Sequence, residues 1–223
     1  MDWTALTLSL KLALGTIAIL LPVGILLGRK LARHTVTGQP IIEALLALPL
    51  VLPPTVLGFY LLSALGGETV AGALFQRITG HSLVFSFQGL LLASVLVNIP
   101  FAIQPIQRAF ESIPPHVHDA AVCCGLSNWR ILWRIELPLA WPGILSAMVL
   151  TFAHTLGEFG VVLMVGGSIP GETKTIVIAI YDRVQAFDLS GASVMSGTLL
   201  AISLFAIALT YLCTASARRS PHA

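Results

Sequence analysis

Five apolar blocks determine what this chain can fold into, because each reaches the length of about twenty residues that a helix needs to cross a bilayer. The blocks span residues 6–28, 41–65, 87–106, 143–165 and 189–212. Hydrophobic residues make up 56% of the 223-residue chain and charged residues only 10%, which leaves too little polar surface for a soluble globule. The sequence therefore predicts one all-α integral membrane domain, residues 1–223, with about five transmembrane helices.

A sixth apolar segment, residues 175–187, is shorter than a membrane span and carries Asp182 and Arg183. These features favour an interfacial or re-entrant helix over a crossing. The first block has no basic residues before it, and it is longer than the apolar region of a signal peptide. We therefore expect the first block to be retained as a transmembrane helix.

The distribution of lysine and arginine predicts the orientation, because short loops rich in these residues stay in the cytoplasm. Five spans divide the loops between two sides of the membrane. One side carries Arg29, Lys30, Arg33, Arg108, Arg130, Arg134, Arg218 and Arg219, and the other carries Arg77, Lys174 and Arg183. We therefore expect the N-terminus outside and the C-terminus in the cytoplasm, with residues 111–138 on the cytoplasmic face.

Composition and motifs argue against several classes of function. A net charge of +2 without a basic run gives no indication of nucleic-acid binding. Cys123, Cys124 and Cys213 lack the spacing of a disulfide framework or a zinc site. The sequence has no phosphate-binding loop of the G-x4-G-K-[ST] type, no paired carboxylates at a site and no histidine pair in the spans. We therefore expect no catalytic residue, no metal site and no cofactor.

The polar segment 111–138 lies between the third and fourth apolar blocks and predicts a short helix. Pro114 and Pro115 suit a helix start, and Gly125 is placed to end the helix. Asp119 is expected in an early turn, where a carboxylate interacts favourably with the positive end of the helix dipole.

A second short helix is expected between Ser127, which can cap it, and Pro138, which would close it. The spacing i, i+3, i+4 and i+7 predicts one shared face for Trp129, Leu132, Trp133 and Glu136. Two short helices joined at a glycine would form a rigid knob on the cytoplasmic face. An amphipathic helix lying on the lipid surface is the alternative, because indoles and arginines suit that position too.

The spacing within this segment is specific. It consists of Asp119, Ala120, Ala121, three residues, Gly125, nine residues, Ile135, one residue, Leu137 and Pro138. The pattern resembles the E-A-A-x3-G-x9-I-x-L-P loop of binding-protein-dependent ABC importer permeases, with aspartate in place of glutamate. The resemblance implies that these seven residues seat in a groove of an ATP-binding subunit and transmit its closure to the spans. Residues 111–138 are called the coupling loop below.

Three prolines, Pro49, Pro53 and Pro54, remove backbone donors from the middle of the second apolar block. Such a break is tolerated where the freed carbonyl groups face protein or a water-lined path. A transport pathway and a structural kink explain the prolines equally well. The run L-P-L-V-L-P-P is similar to the second span of molybdate importer permeases, in which this segment lies beside the pathway.

Glu158 is the one acid expected deep in an apolar block, so it must be paired or hydrated. Because a carboxylate would repel a dianion such as molybdate, we expect helix–helix hydrogen bonding, with His154 one turn earlier as a partner, rather than contact with cargo. Gly157 and Gly160 flank Glu158 and would permit close approach of backbones. The segments G-E-F-G at 157–160 and I-P-G-E-T at 169–173 are similar to those of molybdate permeases.

The resemblance covers nearly the whole chain and implies the membrane subunit of a molybdate ABC importer, with the type I permease fold and no ATPase site. It places the chain in a bacterial or archaeal cytoplasmic membrane, with two ATP-binding subunits and an external molybdate-binding protein. Five helices are too few to enclose a gated path, which favours a homodimer. Sulfate, thiosulfate or tungstate is the alternative cargo.

Two other classes make different demands on the sequence. A secondary transporter would need paired acids or matched broken helices for a coupling ion. A membrane-anchoring protein would not need the spacing of the coupling loop.

Overall fold

The computed structural model describes residues 1–33 and 38–218, in which all regular secondary structure is helical. Arg219, one of the basic residues used to predict the orientation, lies outside the described residues. The helices are α1 (Trp3–Arg33), α2 (Gln39–Val51), α3 (Pro54–Leu65), α4 (Val70–Thr79), α5 (Phe87–Glu111), α6 (Pro115–Cys123), α7 (Asn128–Ile131), α8 (Leu137–Gly157), α9 (Gly160–Gly166), α10 (Ile176–Gln185) and α11 (Leu189–Arg218). A π-helical turn, Leu132–Glu136, joins α7 to α8.

The all-helical membrane fold is confirmed, although not every span is one helix. Within the described residues, 3–33, 87–111, 128–157 and 189–209 are each long and apolar enough to cross a membrane. The second span, predicted at 41–65, is instead the pair α2 and α3, bent by 110°. The prediction of the fourth span as one helix over 143–165 was wrong, because α8 ends at Gly157 and α9 begins at Gly160.

The segment expected to be interfacial or re-entrant forms the ten-residue helix α10. At a rise of about 1.5 Å per residue, this helix is roughly half the length that a crossing needs. Both of its charged residues are paired: Asp182 Oδ2 lies 2.6 Å from Lys174 Nζ, and Arg183 pairs with Asp188. The short length of α10 agrees with a segment that does not span the membrane.

Side-chain caps fix the starts of two spanning helices. Ser86 Oγ accepts a hydrogen bond from the Gly89 N–H at 3.2 Å at the start of α5. Asp188 Oδ1 accepts one from the Gly191 N–H at 2.9 Å at the start of α11. This backbone hydrogen bond is the main reason that the pKa of Asp188 lies below its ordinary value. The cap is therefore ionised at neutral pH and interacts favourably with the helix dipole.

The central layer of the bundle consists of α1, α5 and α8, with α10 and α11 packed against its outer side. Ile106 and Phe110 of α5 are buried against Ile144 of α8. The two helices approach closely, since a Cβ at Gly143 would lie 2.4 Å from the Ala109 Cβ. Small residues permit such approach between membrane helices. The coupling loop lies at the C-terminal ends of α1 and α5, and α3 packs on α9 in the other half of the bundle.

Candidate functional site

The coupling loop begins with one short helix that ends as the sequence predicts. At the end of α6, the Leu126 N–H donates to the Ala121 carbonyl at 3.2 Å and the Gly125 N–H to the Val122 carbonyl at 2.9 Å. This is the Schellman arrangement, which requires a left-handed residue. Gly125 supplies it with a φ of +75°. The prediction that Gly125 ends this helix is confirmed.

Asp119 lies in the middle of α6, so the prediction of an early turn was wrong. It is the fifth of nine residues, whereas the influence of the helix dipole falls off within the first turn. The side chain is exposed and lines a pocket of about 580 Å³ together with Arg29, Lys30 and Arg33 of α1. Asp119 therefore lies on an exposed surface that it shares with basic side chains of α1.

The remaining residues of the loop pattern divide between surface and interior. Ala120 and Pro138 are exposed, Ala121 is buried, and Ile135 and Leu137 are partly buried. Leu137 packs against the apolar core between α5 and α8. The loop is thus fixed to the bundle by its apolar side, and its polar side faces outward.

The four residues expected on one helix face lie on two. Trp129 and Trp133 are 62% and 56% exposed, whereas Leu132 and Glu136 are buried at 2% and 1%. The indoles contact each other edge to face, with ring centroids 5.6 Å apart. Ser127 has the backbone conformation of a cap, but its side chain makes no capping hydrogen bond. The two indoles therefore form an exposed aromatic patch.

Pro138 does not close the second helix of the coupling loop, contrary to prediction. The helix runs on from Asn128 to Gly157, and Pro138 is tolerated because a π-helical turn precedes it. In this turn the Leu137 N–H donates to the Leu132 carbonyl, five residues back. The wider turn relieves the clash of the proline ring with the carbonyl four residues earlier. The second part of the coupling loop and the fourth span therefore form one continuous helical segment.

The grouping of charged side chains around Glu136 was not predicted from the sequence. Its carboxylate is hydrogen-bonded to Arg29 Nε at 2.5 Å and to His118 Nδ1 at 3.1 Å, and Arg33 Nη2 lies 2.9 Å from it as an ion pair without hydrogen-bond geometry. Arg29 also donates to the Asn128 carbonyl at 3.3 Å. The only local signal was the i, i+4 spacing of the two arginines. Glu136 is 107 residues from Arg29, which no periodicity could have revealed.

Both interrupted spans break within apolar stretches of the sequence. The prediction that prolines break the second span is confirmed: Pro53 occupies the cap position of α3 and Pro54 begins it, while Pro49 lies inside α2. In the fourth span the break falls at Glu158 and Phe159.

Glu158 satisfies the backbone at the second break. Its Oε1 accepts a hydrogen bond from the Val161 N–H at 3.0 Å, in the first turn of α9, and the side chain is buried. The expected partner, His154, lies with its Nε2 3.8 Å from Glu158 Oε2, beyond hydrogen-bond length. The prediction of a helix–helix hydrogen bond from Glu158 to His154 was wrong, because the carboxylate instead caps the helix that begins beside it.

His154 instead connects the break to the central layer. Its Nδ1 lies 3.1 Å from Asn98 Oδ1, and its ring stacks on Phe101 with centroids 3.9 Å apart. Asn98 in turn donates to the Ser94 carbonyl at 2.8 Å, and Ser94 Oγ lies 2.8 Å from Thr16 Oγ of α1. A chain of polar contacts thus crosses the apolar interior and fixes the position of the α8 end.

The two breaks meet at Gly160. A Cβ there would lie 2.8 Å from the Pro54 Cβ, and one at Gly58 would lie 2.9 Å from the Met164 Cβ. Close approach was expected at Gly157 as well, but a Cβ at that position would have no neighbour within 4 Å. Of the pathway candidates, Pro54 and Gly160 are therefore in contact and Gly157 is not.

A large pocket opens at the end of the bundle opposite to the coupling loop. It has a volume of about 1050 Å³ and lies between the first turns of α1 and the segment before α5. Lys11 and His81 line it, and Glu172 lines it from the segment before α10.

Comparison with known proteins gave matches over most of the chain. The sequence family described as "Binding-protein-dependent transport system inner membrane component" matches residues 20–220. A molybdenum transport system permease protein of Azotobacter vinelandii is 42% identical over 94% of this chain and 93% of its own length. A probable sulfate transport system permease protein of Chlorokybus atmophyticus is 32% identical over 82% of this chain and 63% of its own.

Among solved structures, a bacterial alginate ABC transporter in complex with an alginate pentasaccharide-bound periplasmic protein has a similar fold. The TM-score is 0.74 over 93% of this chain and 76% of the other, at 17% sequence identity. At that identity the similarity concerns the fold alone.

Proposed function

The chain belongs to the family of binding-protein-dependent transport system inner membrane components, and from this premise we propose that it is the membrane-spanning subunit of an ATP-driven molybdate importer. Its fold is that of type I ABC importer permeases. The observation that carries the proposal of molybdate as cargo is the 42% identity to a molybdenum permease over nearly the full length of both chains. Hydrolysis of ATP belongs to a separate subunit in this proposal.

The coupling loop is proposed as the surface for the ATP-binding subunit. Its Schellman turn ends α6 shortly before α7, and the exposed indoles Trp129 and Trp133 follow the turn in the chain. A lipid-surface helix would turn its apolar side to the membrane, whereas Ala121, Leu132 and Leu137 of this loop pack into the bundle. This difference supports docking to a protein.

The pathway is proposed to pass the layer in which the two broken spans meet. The Pro53 and Gly157–Phe159 interruptions lie against each other through Pro54 and Gly160. Non-helical backbone at membrane depth is tolerated where it is buried in protein or lines a cavity. Glu158 is committed to capping α9 and is proposed as a packing residue, not as a ligand of the dianion.

The assembly is proposed to contain two copies of this chain, two ATP-binding subunits and an external molybdate-binding protein, surrounded by membrane lipid. The coupling-loop end is proposed to face the cytoplasm, with the N-terminus outside, because Arg29, Lys30 and Arg33 lie there. The pocket lined by Lys11 and His81 then faces the side from which cargo arrives.

A sulfate permease is the second candidate function, supported by 32% identity to a probable sulfate permease. Both cargoes are tetrahedral dianions, so the chemistry of recognition differs little. The lower identity and the partial coverage of the sulfate relative favour molybdate.

Uptake into proteoliposomes tests the proposal. The chain is reconstituted with the ATP-binding subunit and binding protein of the same cell, and molybdate accumulation is measured with and without ATP. We expect ATP-dependent uptake of molybdate that excess sulfate does not abolish. Uptake of sulfate with equal efficiency would favour the second candidate, and uptake driven by an ion gradient without ATP would refute both.

A further inference from the structure

We propose that Glu136 and the three basic side chains around it form a rigid joint that makes α1 follow the movement of the coupling loop. The inference rests on the proposed function and assigns a positioning role to Glu136 within it. Glu136 is 1% exposed, yet its carboxylate is surrounded by Arg29, Arg33 and His118. The loop pattern does not specify this residue, since it occupies the variable position between Ile135 and Leu137.

The joint connects three elements that are separate in the chain. Arg29 and Arg33 come from the last two turns of α1, and His118 comes from α6, directly before Asp119. Glu136 itself ends the π-helical turn that leads into α8. A partner that displaces α6 therefore acts through one carboxylate on two spanning helices.

The segment that contains the π-helical turn has two different faces. Leu132 and Glu136, four residues apart, are both buried, while Trp129 and Trp133 on the neighbouring side are exposed. The same short segment thus presents indoles outward and a charge inward. π-Helical turns inserted in longer helices are frequent at functional sites.

Burial makes the joint stiff. A carboxylate removed from water is far less stable alone than with its arginine partners, so a movement that separates Glu136 from Arg29 and Arg33 is strongly disfavoured. The Arg29 contact with the Asn128 carbonyl adds a second link from α1 to the start of α7. The first span is therefore expected to move with the loop instead of sliding past it.

The number of molybdate ions imported per ATP hydrolysed separates a joint from a merely structural role. In proteoliposomes containing the complete transporter, we expect Glu136→Gln and Arg29→Gln to retain ATP hydrolysis, with the ratio lowered by about 5- to 150-fold, the usual range of coupling between sites. Arg29→Lys keeps a cation and should recover part of the ratio. Lys30→Gln is the matched control, because Lys30 is the next residue, is exposed and is not one of the basic groups at Glu136.

A normal ratio of molybdate imported to ATP hydrolysed in the assembled Glu136→Gln variant overturns the proposal of a joint. If that variant does not assemble, Arg29→Gln decides, because Arg29 is partly exposed and its loss leaves Arg33 and His118 at the carboxylate. A normal ratio in Arg29→Gln, or an equal loss in Lys30→Gln, would likewise overturn it. If the wild-type transporter shows no ATP-dependent uptake, the proposed function and the joint are refuted together. If the wild type transports and the variants keep a normal ratio, only the joint is refuted.

Discussion

Gly125 gives the sharpest test of the coupling loop, because the cost of a side chain there can be worked out from the structure. The residue has a φ of +75°, and a Cβ built on it would have no neighbour within 4 Å. Steric clash with other residues therefore contributes nothing, and the whole cost is that of the left-handed backbone. That cost is about 1–2 kcal/mol for a residue with a Cβ and less for asparagine.

These values predict a graded series. If the loop must adopt the observed turn to dock, Gly125→Ala at about 1 kcal/mol should weaken binding of the ATP-binding subunit roughly fivefold. Gly125→Val at about 2 kcal/mol should weaken it roughly thirtyfold, and Gly125→Asn should bind nearly as the wild type does. Affinity is measured by titrating the ATP-binding subunit onto the chain in lipid nanodiscs, and uptake should fall in the same order while membrane insertion stays intact.

Gly80 provides the matched control for this series. It also follows a helix, has a φ of +80° and would place a Cβ in open space, but it lies at the end of α4, away from the coupling loop. Gly80→Val should therefore impose a similar strain without changing docking. Wild-type affinity and uptake in Gly125→Val, or equal losses at both glycines, would contradict the role assigned to this turn.

Three further predictions concern the broken spans and the orientation. Glu158→Gln keeps an acceptor for the Val161 N–H and should retain most uptake. Glu158→Ala removes the acceptor and should lower the stability of the solubilised protein by about 1–3 kcal/mol. Complete loss of uptake in a normally assembled Gln variant would show that the charge itself is required. Gly160→Val forces overlap with Pro54 and should lower the free energy of unfolding by about 1–3 kcal/mol, which is measured as a lower melting temperature. Gly157→Ala, the control, should leave the melting temperature unchanged. Equal melting temperatures of the two variants would refute the contact between the two breaks. In a cysteine-free background, an impermeant reagent should label Glu172→Cys in intact cells and Ser127→Cys only after permeabilisation. Labelling of both from the same side would refute the orientation.

Glu172 suits labelling because its side chain is exposed. The neighbouring Thr173 would serve equally well by sequence position, but it is fully buried and donates to the Gly166 carbonyl at 2.6 Å. A cysteine at that position would report accessibility rather than sidedness.

Features that depend on short stretches of chain could be predicted from the sequence. The length of the apolar blocks identified the spanning segments, because the thickness of the bilayer sets the length of a helix that crosses it. Pro53 and Pro54 predicted a broken second span because a proline lacks the backbone donor. Gly125 predicted the end of α6, because only a residue free to adopt positive φ closes that turn easily. The coupling-loop pattern and the family resemblance are likewise properties of sequence alone.

Features that depend on contact between distant segments were decided by the tertiary structure. Local rules end a helix at Pro138, but packing of Leu132 and Leu137 into the core favours continuation through a π-helical turn. Local rules pair Glu158 with His154, but the break after Gly157 exposes backbone donors that the carboxylate satisfies instead.

The cluster at Glu136 and the contact of Pro54 with Gly160 show most clearly that contacts between distant segments cannot be predicted from local sequence. Arg29 and Glu136 are separated by 107 residues, and nothing in the periodicity of either segment refers to the other. The sequence by itself determined that this chain enters a membrane as helices with one rigid loop, because those properties follow from hydropathy and backbone chemistry. Which buried charges and which helix breaks meet was decided only by packing, since a buried charge selects its partners from whatever the fold brings within reach.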